Sequence, residues 1–203
     1  MWSLAIPVVW LTFFATPEQL LRLRVPANGL LMAMFLIHYT YRDAIYPFRL
    51  RAGKPTPFVV WLLALVFCCY NGYMQTKYML DEAPMNSKIG VRWILGASMW
   101  LFGWLTNLQS DNILISLRRK SDSKGKYRIP RGGMFEYVSA ANYFGEILEW
   151  SGFAVASASL PAIAFAVFTA ANLAPRGIVH HQWYQQQFKT YPKHRKAIIP
   201  FIL

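Results

Sequence analysis

Residues 57–80 read PFVVWLLALVFCCYNGYMQTKYML. A bilayer core about 30 Å thick takes roughly 20 apolar residues of helix. This stretch is long enough, and Pro57 stands at its entrance, where a missing N–H costs no helical bond. It predicts a transmembrane helix. Five further stretches of the same kind lie around it, at about residues 2–15, 30–48, 91–108, 143–159 and 161–172, the last continuing amphipathically through Tyr184. The second follows Pro26-Ala27-Asn28-Gly29, a turn signal. The expected fold class is therefore all-α, a polytopic transmembrane helical bundle of about six spans, with residues 1–203 forming a single membrane-embedded domain. Trp2-Ser3-Leu4-Ala5-Ile6-Pro7 follows Met1 without a basic leader, which argues against a signal peptide.

Charge supports that layout. Only 15% of the 203 residues are charged and 55% are hydrophobic, against about 25% charged in soluble domains. Lys and Arg number 21 and Asp and Glu 9, a net charge of +12. A basic chain with so much apolar surface is not a soluble nucleic-acid module, so no nucleic-acid partner is expected. Six spans place fifteen basic residues in loops on one side of the membrane and four (Arg22, Arg24, Lys88, Arg92) on the other. By the positive-inside rule the basic face and both termini are cytoplasmic. Cys68 and Cys69 are adjacent inside an apolar run and do not face each other on a helix, so a disulfide or metal pair is not expected.

Polar groups inside the spans are where chemistry is expected, because ionisable side chains at membrane depth are costly and line cavities or proton paths. The second span contains His38-Tyr39-Thr40-Tyr41-Arg42-Asp43, and Tyr39 is placed to donate a phenolic proton into an apolar pocket. The alternative is a helix end whose Arg42 and Asp43 reach for the interface. The fourth span ends in Asn107-Leu108-Gln109-Ser110-Asp111, with Asn107 and Asp111 four apart on one face. A loop with seven basic residues follows, including Arg118, Tyr127, Arg128 and Arg131-Gly132-Gly133. It suits an anionic, planar partner, because Arg clamps phosphate in fork geometry and stacks on rings; the alternative is a solvated loop that only enforces topology. Asn142, Glu146 and Glu149 make a polar stripe on the fifth span. His180 and Tyr184 share a face of the last helix, without a third ligand that would make a metal site. No glycine-rich dinucleotide fingerprint is present.

At this point the chain resembles the steroid 5-alpha-reductase family (3-oxo-5-alpha-steroid 4-dehydrogenase). The matching stretches are residues 107–111, 127–133 and 136–150, with His180-His181, Tyr184 and residues 191–201; His38-Tyr39, Ile45-Tyr46, Gly53-Lys54-Pro55 and Asn71-Gly72 match as well. The resemblance implies a seven-helix membrane enzyme, in the cell inner membrane or the endoplasmic reticulum, that uses NADPH from the cytosolic side to reduce the Δ4 double bond of 3-oxo-Δ4 steroids by hydride transfer to C5. It puts the carbonyl-polarising tyrosine at Tyr39 and a steroid-lining tryptophan at Trp150. It puts cofactor contacts at Asn107, Asp111, Arg118, Tyr127, Arg128, Asn142, His180, Tyr184 and Arg195. Steroid and membrane lipid are the implied partners, and a monomer is expected. The family's Gln-Glu pair, whose Glu partners the tyrosine, falls before Met1 together with its first span; Asp43 is a candidate replacement by helical spacing. Alternatives are a reductase of another lipid enone or polyprenol, a membrane S-adenosylmethionine-dependent methyltransferase, and a non-enzymatic scaffold.

Overall fold

A computed structural model describes residues 3–50, 56–120 and 127–203. Apart from short connections the described chain is helical, as a lipid-embedded backbone must be: with no water to take up N–H and C=O groups, each is paired within its own segment. Among the described residues the only extended pairing is a parallel bridge between Val138 and Lys196.

Helix α1, Ala5–Val9, runs into a π-helical turn at Trp10–Phe14. Helix α2, Pro17–Arg24, opens on a capping box, in which the Thr16 hydroxyl accepts from the Gln19 N–H and the Gln19 side chain accepts from the Thr16 N–H. Pro26 then begins α3, Pro26–Tyr39, which continues through a π-helical turn at Thr40–Ile45 into α4, Tyr46–Arg49. Helix α5 spans Phe58–Lys77 with a π-helical turn at Tyr78–Glu82. Helices α6, Val91–Lys120, α7, Ala141–Ser157, and α8, Leu160–Gln187, complete the order, with a 3₁₀ turn at Gly133–Glu136 between α6 and α7.

The protein is an all-α polytopic membrane protein. Among the described residues two helices, Phe58–Glu82 and Leu160–Gln187, are long and apolar enough to cross a bilayer by themselves, and the pair Pro17–Arg24 with Pro26–Arg49, bent by 96°, passes the same test together, as a broken span or a re-entrant loop. Two expectations are adjusted. Pro26-Ala27-Asn28 is the first turn of α3 rather than a loop, because proline at the first helical position is pre-set for helix; the chain direction changes at Val25, which is extended. The fourth stretch does not stop at Leu108: α6 runs 30 residues, about 45 Å, carrying its polar turn inside the helix. The last stretch continues through Tyr184 as expected, in one helix with Pro175 inside it.

Helix α5 is built inside out. Its buried residues are Asn71, Gly72, Gln75 and Thr76, while Val59 and Leu63 are 65% exposed. A soluble helix buries the opposite set, so this pattern marks an outer surface that faces lipid and an interior that collects polar groups. Cys68 and Cys69 sit half-buried on the same helix as free thiols.

The chain packs as two compact units. The first comprises Met1–Gly96 and Phe153–Phe165, the second Ala97–Gly152 and Ala166–Leu203. In the first, α1 lies on α5, and Gly72 admits the Ser3 backbone, whose oxygen is 2.8 Å from where a Cβ would stand. In the second, α6 and α7 touch backbone to backbone. A Cβ on Gly103 would overlap the Glu149 nitrogen, and one on Gly145 would lie 2.7 Å from the Asn107 nitrogen and 2.8 Å from the Gly103 oxygen. Small residues in reciprocal positions permit this approach. Gly145→Ala is expected to lower the thermal midpoint of the detergent-solubilised protein by several degrees, for a cost of about 1–3 kcal/mol. An unchanged midpoint in a melt followed by tryptophan fluorescence would mean the two helices are not in contact there.

Candidate active site

The glycine crossing decides what the polar turn of α6 meets. Asn107, Ser110 and Asp111 are buried on that helix, Asp111 at 1% exposure. The Asn107 amide reaches the Asn142 carbonyl and a Glu146 carboxylate oxygen on α7, both at 3.4 Å. The expected stripe of Asn142, Glu146 and Glu149 is therefore turned to protein, with Glu149 and the adjacent Trp150 fully buried. Buried amides and carboxylates gathered in an apolar bundle form a site able to hold a polar ligand.

The segment entering α7 is held by one carboxylate. Gly132 and Gly133 adopt φ of +94° and +54°, backbone that favours glycine. The Gly132 N–H donates to Glu136 Oε1 at 2.6 Å, and Glu136 Oε2 accepts from Arg195 Nη2 at 3.3 Å. Arg195 is 1% exposed and also donates to the Pro130 carbonyl at 2.9 Å. Its guanidinium thus grips both ends of the turn that carries the two glycines. Arg131 lies 3.8 Å from Glu136 as well. The Gly132 N–H foremost, with Arg195 and Arg131 adding to it, holds the Glu136 carboxyl below the usual carboxylate range against the opposing effect of partial burial.

The C-terminal segment straps this turn to α8. The Lys196 N–H donates to the Tyr137 carbonyl, and the Ser139 and Ala140 N–H groups donate to the Lys196 and Ala197 carbonyls. The Ser139 hydroxyl meets His181 Nδ1 at 2.5 Å and the Tyr191 hydroxyl at 2.6 Å. The Tyr191 ring lies parallel to Tyr184, with centroids 5.4 Å apart, and under the Arg195 guanidinium. His180 stands edge-on to Tyr143, and exposed Tyr127 edge-on to Trp183. Arg118 and Arg128 are exposed, and neither has an ion pair among the described residues.

Tyr39 belongs to the first unit and is 7% exposed at the end of α3. Its oxygen receives the Asn71 amide at 3.2 Å. Gln75 Nε2 donates both to Asn71 Oδ1 at 3.2 Å and to the Pro161 carbonyl at 2.9 Å. The Pro161 carbonyl can only accept, which makes the facing Gln75 atom the nitrogen. Asn71 must then present oxygen to Gln75 and its NH₂ to Tyr39. The phenol is therefore an acceptor toward Asn71, and its proton is donated in another direction. Phe35 and His38 flank the ring at 4.7 and 4.9 Å. Asp43, the candidate carboxylate, takes the Leu4 N–H on Oδ2 at 3.2 Å.

The second unit thus holds every residue expected to contact a cofactor, together with Trp150, and the first unit holds Tyr39. Residues 121–126, with two of the loop's lysines, and Gly53-Lys54-Pro55 lie outside the described residues. Sequence reasoning missed Gln75, Glu136, Ser139 and Tyr191 as site-builders. Asn71 and Gln75 were detectable, being polar residues four apart in an apolar span. The Glu136–Arg195 pair is separated by 59 residues and left no local signal.

The family described as 3-oxo-5-alpha-steroid 4-dehydrogenase matches residues 54–203. The chain is 45% identical over 203 residues to 3-oxo-5-alpha-steroid 4-dehydrogenase 1 of Bos taurus, covering 99% of this chain and 77% of that one. It is 47% identical over 202 residues to 3-oxo-5-alpha-steroid 4-dehydrogenase 1 of Homo sapiens (98% and 76%) and 41% identical over 196 residues to 3-oxo-5-alpha-steroid 4-dehydrogenase 2 of Homo sapiens (93% and 76%).

The Glu136 geometry has a pH signature. A carboxyl whose folded pKa is depressed adds stability above its unfolded pKa, and that stability is lost as pH falls through the folded value. Glu136→Gln is therefore expected to melt earlier than the parent protein at neutral pH. The gap between them should close as pH drops below the ordinary glutamate range, about 4.3. A gap independent of pH in melts recorded from pH 7 to pH 3 would remove the charged role.

Proposed function

Because the chain belongs to the 3-oxo-5-alpha-steroid 4-dehydrogenase family, we propose that it is an NADPH-dependent oxidoreductase that reduces the Δ4 double bond of 3-oxo-Δ4 steroids. The names of its relatives support the steroid. The observation that carries the cofactor is the buried amide of Asn107 set against Asn142 and Glu146 in a lipid-embedded unit that also exposes Arg118 and Arg128.

The residues present fit a phosphorylated dinucleotide by their chemistry. Asn107, Asp111 and Asn142 offer donors and acceptors for a carboxamide and ribose hydroxyls. Arg118 and Arg128 offer forked donors for phosphate, which S-adenosylmethionine lacks. Tyr127, His180 and Tyr184 offer ring faces and polar edges. Arg195 serves the same site from behind, through Pro130 and Glu136. NADPH, when bound, supplies the hydride that reaches C5 of the steroid.

The chain's own residues do the rest. Tyr39 hydrogen-bonds the C3 carbonyl oxygen and stabilises the negative charge that gathers there as C5 is reduced, an electrostatic effect strong in a site that excludes water. Asn71, locked by Gln75, steers the phenol so that its proton points away from the amide. Trp150 lines the steroid pocket. The exposed apolar faces of α5 and α8 keep the enzyme where such a substrate dissolves. It works as one domain and as a monomer in the cell inner membrane or the endoplasmic reticulum, with the basic face and C-terminus on the cytoplasmic side, where NADPH is held.

Two substitutions separate the roles. Tyr39→Phe is expected to lower turnover of a 3-oxo-Δ4 steroid about 100-fold or more while leaving the Kd for NADPH within about twofold. Arg128→Ala is expected to raise that Kd about tenfold. Both are read from steady-state kinetics and cofactor titration of the purified protein. Full turnover in Tyr39→Phe would remove the tyrosine from the reaction.

A further inference from the structure

The first unit contains a cavity of about 50 Å³ that none of these roles uses. One water needs roughly 10–15 Å³ of such space, so the volume takes several oxygen atoms. Its wall is made by Asn28 near the start of α3, by Ser87, Lys88, Arg92 and Trp93 at and just before the start of α6, and by Ser157 at the end of α7.

This wall carries two cations, Lys88 and Arg92. The indole nitrogen of Trp93 is buried and has no hydrogen-bond partner among the described residues. An indole N–H can only donate, and a buried donor without an acceptor is costly. Arg92 is fixed at the wall by Nη1, which donates to the Val155 and Ala156 carbonyls. Lys88 is exposed and has no ion pair among the described residues. Among the described residues no carboxylate lines the cavity. The nearby acids on the chain, Asp81 and Glu82, are engaged by Lys77, and Asp81 also by Gln19.

We propose that this cavity binds a phosphate group. Two cations, an indole N–H and the Ser87 hydroxyl around a space of this size match a tetrahedral oxyanion, whose oxygens accept from several directions at once. Helix ends form its walls, the level at which phospholipid headgroups meet a membrane-embedded bundle. A lipid phosphate and free inorganic phosphate present the same group.

The test uses the full chain, as purified protein in nanodiscs of phosphatidylcholine alone or with phosphatidic acid, and in detergent with inorganic phosphate against chloride at equal ionic strength. A rise in Tm of about 4 °C or more is expected from phosphatidic acid, from phosphate, or from both. A rise with phosphatidic acid only assigns a lipid headgroup; a rise with inorganic phosphate assigns a site that free anion fills. In Trp93→Phe, which deletes the N–H and keeps a ring, and in Lys88→Ala, which removes an exposed side chain, the rise should fall by half or more. No rise from either source, or the same rise in both variants as in the parent protein, would overturn the site.

Discussion

The polar interior of the second unit depends on one close contact, the glycine crossing of α6 and α7. Gly103 and Gly145 let the two backbones touch. Only because they touch does the Asn107 amide reach the Asn142 carbonyl and Glu146. A larger residue at either position would push the helices apart, and that separation would lengthen the two Asn107 bonds, already 3.4 Å. In lipid this matters more than in water. Separating apolar helices gains nothing from hydration, so tight packing and hydrogen bonds are what hold the pair together.

The same economy runs through the first unit, where α5 presents aliphatic side chains outward and keeps Asn71, Gln75 and Thr76 inside. Those interior amides form a directed chain from the Pro161 carbonyl through Gln75 and Asn71 to the Tyr39 oxygen. Each amide fixes the orientation of the next, so the tyrosine inherits a defined donor direction from a carbonyl 122 residues away in sequence, the separation of Tyr39 from Pro161. In the second unit the equivalent device is Glu136. It ties the Gly132 N–H to a buried arginine of the C-terminal strap, whose Tyr191 in turn stacks on Tyr184 of α8.

How much of this the sequence showed depends on the range of the interaction. The helices were legible because bilayer thickness fixes the length of an apolar run, and residues 57–80 and the last helix follow that rule. The extension of α6 beyond Leu108 was not. Asn107, Ser110 and Asp111 look like a span ending in water, and only the partner helix makes them interior. The bend at Val25 was also hidden, since Pro26 serves a turn and a helix start equally well. Within the candidate site, Asn107 with Asp111, and Asn142 with Glu146, could be read from four-residue spacing. Arg195, which the resemblance gives as a cofactor contact, is buried and bonded to Pro130 and Glu136, and partners so distant in sequence leave no local signal.

Membership of the family fixes the chemistry to be sought, and the proposed function assigns the cofactor to residues of the second unit and the carbonyl to Tyr39 of the first. The most direct measurement is product analysis after incubating the purified protein with a 3-oxo-Δ4 steroid and NADPH carrying deuterium on the transferable position of the nicotinamide. Mass spectrometry and NMR are expected to find the saturated 3-oxo steroid with one deuterium at C5. Recovery of unchanged steroid from protein that binds NADPH, or deuterium at any other carbon, would contradict the assignment.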